Sequence, residues 1–81
     1  MKVRVLFFAQ LRDLAGTSQR EIELPENSTV TDLLQTIYAA HPALAAHDTS
    51  TLIGAGVEFV GRDYVIQAND EIAIMPPVQG G

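Results

Sequence analysis

Cysteine is absent from all 81 residues, which excludes a disulfide framework, a thiolate metal site and a side-chain thiol nucleophile. Long apolar runs are absent too. Nothing approaches the roughly 18 consecutive apolar residues that span a bilayer. Residues 5–9, Val-Leu-Phe-Phe-Ala, are too few for the apolar core of about 7–15 residues in a secretory leader. The chain is therefore expected to be unexported, cytoplasmic and free of the membrane. Basic residues are scarce, five against ten acidic for a net charge of −5, and they form no cluster. A phosphate-backbone partner, and with it nucleic acid, is not expected. The acidic balance suits either an ordinary solvated surface or steering of a basic partner. No repeat, linker or low-complexity segment is present.

What remains is one small domain. A chain of this length buries only about 60% of the surface it exposes when unfolded. It needs most of its apolar residues inside, and 47% hydrophobic residues is enough for that. Residues 2–9 alternate and are rich in β-branched and aromatic side chains, which predicts a strand with Val3, Val5 and Phe7 on one face and Arg4, Leu6 and Phe8 on the other. Residues 11–16 predict a helical turn closed by Gly16. Residues 20–24 alternate again, Ile22 and Leu24 inward, up to Pro25. Thr29 and Asp32 predict a helix start in the manner of a capping box. Val30, Leu33, Leu34 and Ile37 then follow helical spacing, and Pro42 ends the helix near Ala40. Residues 43–46 predict a short turn. Leu52-Ile53 and residues 57–60 read as two short strands about a bend at Gly54-Ala55-Gly56. Asn69-Asp70 marks a turn in which Asn tolerates positive φ. Residues 71–75 form a final strand with Ile72 and Ile74 inward, stopped by Pro76-Pro77.

Strands in this order with one substantial helix predict an α+β domain of β-grasp type, a mixed sheet with the main helix on one face. The arrangement requires parallel first and last strands, with the helical segment as their crossover. Local patterns do not reveal which strands meet, so that pairing is inferred.

Side chains offer little chemistry. His41 and His47 lack helical (i, i+4) spacing and have no cysteine to complete a ligand set, so polar loop residues are the simpler reading. Glu21, Glu23, Asp70 and Glu71 lie near turns or on an exposed strand, without the burial that separates the pKa values of an acid/base pair. Gly54-Ala55-Gly56 lacks the rest of a phosphate-binding fingerprint. The remaining feature is the C-terminus, Pro76-Pro77-Val78-Gln79-Gly80-Gly81. Two prolines favour an extended path. Residues 78–81 can reach roughly 13 Å at about 3.3 Å per residue. Two glycines suit a slot too narrow for any Cβ, delivering an unhindered carboxylate. An inert, frayed end is the alternative.

Over its whole length the chain resembles the MoaD-type sulfur-carrier subunits of molybdopterin synthase, within the ubiquitin-like sulfur-carrier family. The resemblance rests on Val5-Leu6-Phe7-Phe8-Ala9 with Leu11-Arg12-Asp13-Leu14-Ala15-Gly16, on Thr29-Val30, and above all on the closing segment from Asp70 through Met75-Pro76-Pro77-Val78-Gln79-Gly80-Gly81. Carriers for thiamine synthesis and tRNA thiolation share the final Gly-Gly but usually not Pro-Pro-Val before it. Three departures stand out. Asn69 stands where the family commonly has Gly, the Asn that the family commonly has near Gly56 is missing, and Gln79 stands where Ser or Thr is frequent.

The resemblance implies sulfur transfer for molybdenum cofactor biosynthesis. A ubiquitin-activating-like adenylating enzyme, using ATP and Mg²⁺, would activate the Gly81 carboxylate. A persulfide donor would then leave it as a thiocarboxylate. The large subunit of molybdopterin synthase, admitting residues 76–81, would pass the sulfur to cyclic pyranopterin monophosphate. Side-chain catalysts would belong to the partners, and this chain would bind no cofactor or metal. Strand parity adds an expected interface of Phe8, Phe59 and Met75 near the tail root, with Arg12 as a rim charge. Burial of one or more of these in the core is the alternative. A carrier for another pathway, and a β-grasp binding module with an inert tail, are the competing functions.

Overall fold

The computed structural model describes residues 1–77; Val78, Gln79, Gly80 and Gly81, on which the carrier chemistry is expected, lie outside the described residues. The first strand, β1 (Lys2–Phe7), leads into α1 (Ala9–Ala15) and returns as β2 (Gln19–Glu23). The main helix α2 (Val30–Ala40) follows, then α3 (Pro42–Ala45) and a 3₁₀ turn at Asp48–Ser50. The chain closes with β3 (Leu52–Ala55), β4 (Glu58–Phe59) and β5 (Glu71–Met75).

One five-stranded sheet has the order β2-β1-β5-β3-β4. β1 and β5 are parallel, with Arg4 opposite Glu71 and Phe7 opposite Ile74, while every other pairing is antiparallel. This is the β-grasp, with the crossover between β1 and β5 carrying α2. The inward residues of the central strands, Val3, Val5, Phe7, Ile53, Ile72 and Ile74, are all at most 3% exposed. They meet Val30, Leu33, Leu34 and Ile37 of α2 in one core. Burying each such side chain contributes about 1.5–3 kcal/mol, before the conformational entropy that opposes it.

The start of α2 is fixed twice over. Thr29 Oγ1 accepts from the Asp32 N–H at 3.3 Å, and the Asp32 carboxylate accepts from the Thr29 N–H at 2.9 Å, completing the capping box. The N–H groups of Val30 and Thr31, which have no partner inside the helix, donate to the carbonyls of Tyr64 and Arg62 at 3.0 Å. The helix is thereby tied to the segment between β4 and β5. Gly16 closes α1 at φ 76°, and Asn69 turns at φ 73°, a conformation that both residue types tolerate.

Several boundaries differ from the sequence reading. β1 stops at Phe7 because Ala9 takes φ 51° and bends the chain into α1. Gly54 and Ala55 are not a bend but the second half of β3; the turn is made by Gly56, at φ 62°, with Val57. β4 is accordingly two residues, Glu58 and Phe59. The 3₁₀ turn at Asp48–Ser50 had no local signal. Ile66, 2% exposed, joins the core from a loop. No helix among the described residues is long and apolar enough to cross a membrane.

Candidate functional site

The outer face of the sheet is where the parities meet. Leu6 lies opposite Ala73, Ala73 opposite Gly54, and Gly54 opposite Phe59. Directly paired residues share a face. One row therefore crosses four strands on the side away from α2. Two residues further along, Met75 lies opposite Leu52. The Phe8 N–H donates to the Ile74 carbonyl at 3.2 Å and carries the β1 edge of the face alongside the end of β5. Phe8, Phe59 and Met75 thus surround a groove of about 300 Å³, with Gly54 and Ala73 among the lining residues. Phe8 is 44% exposed, Phe59 70%, and Val57 at the rim fully exposed. Met75 is half-buried, and beyond it Pro76 and Pro77 are half-buried and outside any strand.

Charge is arranged around this face rather than within it. Arg4, set between Glu21 on β2 and Glu71 on β5, forms a 3.2 Å ion pair with Glu71. Both side chains are about half exposed, so the pair contributes less than about 1 kcal/mol. Glu58, at the groove's other rim, makes no ion pair among the described residues. Arg12 does not join the groove. It is exposed on α1, where its carbonyl accepts the Gly16 N–H at 2.9 Å.

The remaining polar groups build structure. Arg62 donates to the carbonyls of Asp48 at 2.7 Å and Thr51 at 3.3 Å and pairs with the Asp48 carboxylate at 3.3 Å. Tyr38 donates to the same carboxylate at 2.5 Å. Burial, then that hydrogen bond, hold the Tyr38 hydroxyl well above the ordinary tyrosine range. Tyr64 is raised as well, chiefly by its 2.7 Å bond to Asp70. His41 Nε2 lies 2.9 Å from Arg20. Among the described residues no group of three His, Asp or Glu is placed to hold a metal ion. A larger, more open depression of about 730 Å³ lies between Pro25–Ser28 and α2, away from the end of β5 and lined by groups such as Glu26, Asn27 and Asp32. The groove at the end of β5 is therefore the candidate site, and it is equipped for docking.

Gly54, Ala73, Val57 and Glu58 were not expected at this surface from the sequence. A glycine inside a run that otherwise reads as a strand was the available signal for the first, because such a glycine marks close approach by a ligand or another chain.

Comparison with known proteins gives four further findings. The model of the ThiS family matches residues 5–81. The molybdopterin synthase sulfur carrier subunit of Escherichia coli (strain K12) is 38% identical over 81 residues, covering 98% of this chain and 99% of its own. That of Chlamydomonas reinhardtii is 36% identical over 83 residues, covering 100% of both chains. Among solved structures, a Pyrococcus furiosus protein described as molybdopterin converting factor, subunit 1, superposes with a TM-score of 0.88 at 32% identity, over 96% of this chain and 99% of that one.

Proposed function

This chain belongs to the ThiS family of ubiquitin-like sulfur carriers, of MoaD type, and we propose that it carries sulfur for molybdopterin synthase on the carboxylate of Gly81. The observation that carries this reading is that the family match runs unbroken from residue 5 through residue 81 and so includes the Gly-Gly segment. Full-length identity to sulfur carrier subunits supports the pathway.

A carboxylate cannot be displaced by sulfur directly, because oxide and hydroxide are poor leaving groups. An adenylating partner with ATP and Mg²⁺ joins AMP to the Gly81 carboxylate and releases pyrophosphate. The terminal sulfur of a persulfide donor attacks the acyl carbon and AMP departs. A second thiol then cleaves the resulting acyl disulfide and frees the thiocarboxylate. Residues 76–81 enter the large synthase subunit, where the sulfur passes to cyclic pyranopterin monophosphate. Ordering a free tail costs about 1–2 kcal/mol per residue, so docking by the domain body must offset it. Phe8, Phe59 and Met75 form that docking surface, beside the strand from which the tail leaves. Arg12, which does not line the groove, contributes at most a peripheral charge.

The test is a chain lacking Gly80 and Gly81 beside one with a single alanine appended after Gly81. Both are expected to melt like the unaltered protein and to support no sulfur transfer by the large subunit. Retained transfer by the truncated chain would leave only a β-grasp binding module with an inert tail. A thiocarboxylate that forms but is not consumed by the large subunit would assign the carrier to thiamine synthesis or tRNA thiolation.

A further inference from the structure

Gly54 occupies the interior of β3, hydrogen-bonded between β5 and β4, in a backbone conformation open to any residue. Glycine there weakens the strand, since it loses more freedom on folding and offers nothing to pack. The reason for its presence lies on the outer face. A Cβ at this position would stand 3.2 Å from the Met75 Cε methyl, 3.6 Å from the Glu58 carbonyl oxygen and 3.7 Å from Ala73 Cβ. The Met75 side chain therefore leans across from β5 and lies over Gly54. An added methyl would push it up into the groove.

The floor is thus made of the smallest residues available, Gly54 and Ala73, while Phe8, Phe59 and Met75 rise around it. A recess with a bare floor and tall apolar walls receives a protruding side chain better than it matches a flat surface. The rim adds a second condition. Glu71 is engaged by Arg4, whereas Glu58, next to the fully exposed Val57, makes no ion pair among the described residues. On a chain of net charge −5, that carboxylate favours a cation across the interface.

From these features we infer that Gly54 is a specificity-determining residue, leaving a socket that takes one large apolar side chain of the partner subunit, flanked by a lysine or arginine that pairs with Glu58. The inference rests on the carrier reading above and adds the chemistry of the segment recognised. Met75 moves with the occupant, and because it directly precedes Pro76, filling the socket also fixes the direction in which the tail leaves. Gly54 acts as a positioning residue for Met75 and touches no reacting atom.

The test uses the full chain and the large subunit of molybdopterin synthase as the probe, with affinity read by titration calorimetry and fold by thermal melting. Gly54→Ala is expected to melt at or above the temperature of the unaltered chain, yet to bind about tenfold more weakly because the floor is overpacked. A purely structural glycine would not separate the two readings in this way. Ala73→Val, which raises the floor from β5 with a good strand former, is expected to do the same. Glu58→Gln is expected to slow association and to lessen the salt dependence of binding. Folded Gly54→Ala and Ala73→Val chains that bind within about twofold of the unaltered chain would overturn the socket, and so would loss of fold in both. Failure of the unaltered chain itself to bind the large subunit would overturn the carrier reading and the socket with it.

Discussion

Replacing Arg62 by alanine is expected to cost about 1–2 kcal/mol of folding stability, and the structure says why the loss comes from hydrogen bonds rather than from charge. The guanidinium reaches two backbone carbonyls, of Asp48 at 2.7 Å and of Thr51 at 3.3 Å. Bonds from a charged donor contribute about 1.5–3 kcal/mol each when well shielded. Here Arg62 is 36% exposed and Asp48 45%, so water replaces part of what is lost and the ion pair itself adds little. The lower end of the range follows. For a domain of this size each kcal/mol lowers the melting temperature by about 4–8 °C. Urea denaturation of the variant, repeated at about 1 M NaCl where the Debye length falls to about 3 Å, separates the two contributions. The deficit is expected to persist at high salt. Asp48→Asn, which retains the carbonyl contacts of Arg62 and an acceptor for Tyr38, is expected to cost less than the loss of Arg62. A deficit that vanishes with salt, or an Asp48→Asn effect larger than that of Arg62→Ala, would refute this account. Thr51 immediately precedes β3, so the same bonds hold the strand that floors the groove.

Two other perturbations follow from the geometry. Thr29→Ala removes one half of the capping box and is expected to cost about 1 kcal/mol, read as a lower denaturation midpoint with an unchanged slope. Tyr38, whose hydroxyl is held protonated in the folded protein above the ordinary value of 10.0, contributes stability that is fully present below that value and lost as pH rises beyond it. Tyr38→Phe should therefore lessen the fall in stability on raising the pH above about 10, as seen in paired denaturation curves; parallel curves there would remove this role for the Tyr38–Asp48 bond.

Much of the fold was legible because the informative patterns are local. The alternation of β1 and β5 marks the inner face correctly, since Val5 and Ile72 are both 0% exposed. The stripe from Val30 to Ile37 and the Thr29–Asp32 pair delimit α2 without reference to anything distant. What escaped depends on contacts between segments far apart in sequence. Ile66 lies in a segment with neither helical nor strand periodicity, and its N–H donates to the distant Ser28 carbonyl at 2.8 Å where the loop meets the core. The 3₁₀ turn at Asp48–Ser50 is held by Arg62, 14 residues from Asp48. Gly54 looked like a bend because glycine usually is one; its true setting is fixed by β5, whose pairing with β3 no local pattern reveals.

The candidate site divides in the same way. Strand parity alone places Phe8 with Leu6 and Met75 with Ala73, and the structure brings them together with Phe59 through the parallel pairing of β1 and β5. The small floor beneath them could not be read from one strand at a time. Arg12, read as a rim charge, is exposed on α1 and is not among the residues that line the groove. The proposal that the four closing residues carry the chemistry rests on family membership, because nothing in their side chains distinguishes a delivered carboxylate from an ordinary end.

The most direct measurement is the intact mass of the protein after incubation with its adenylating enzyme, ATP, Mg²⁺ and a persulfide donor. Replacement of one oxygen by sulfur, located by fragmentation at Gly81 and dependent on ATP, is the predicted result. An unaltered mass in the presence of an enzyme that thiolates a known carrier, or sulfur found anywhere except the terminal carboxylate, would contradict the account.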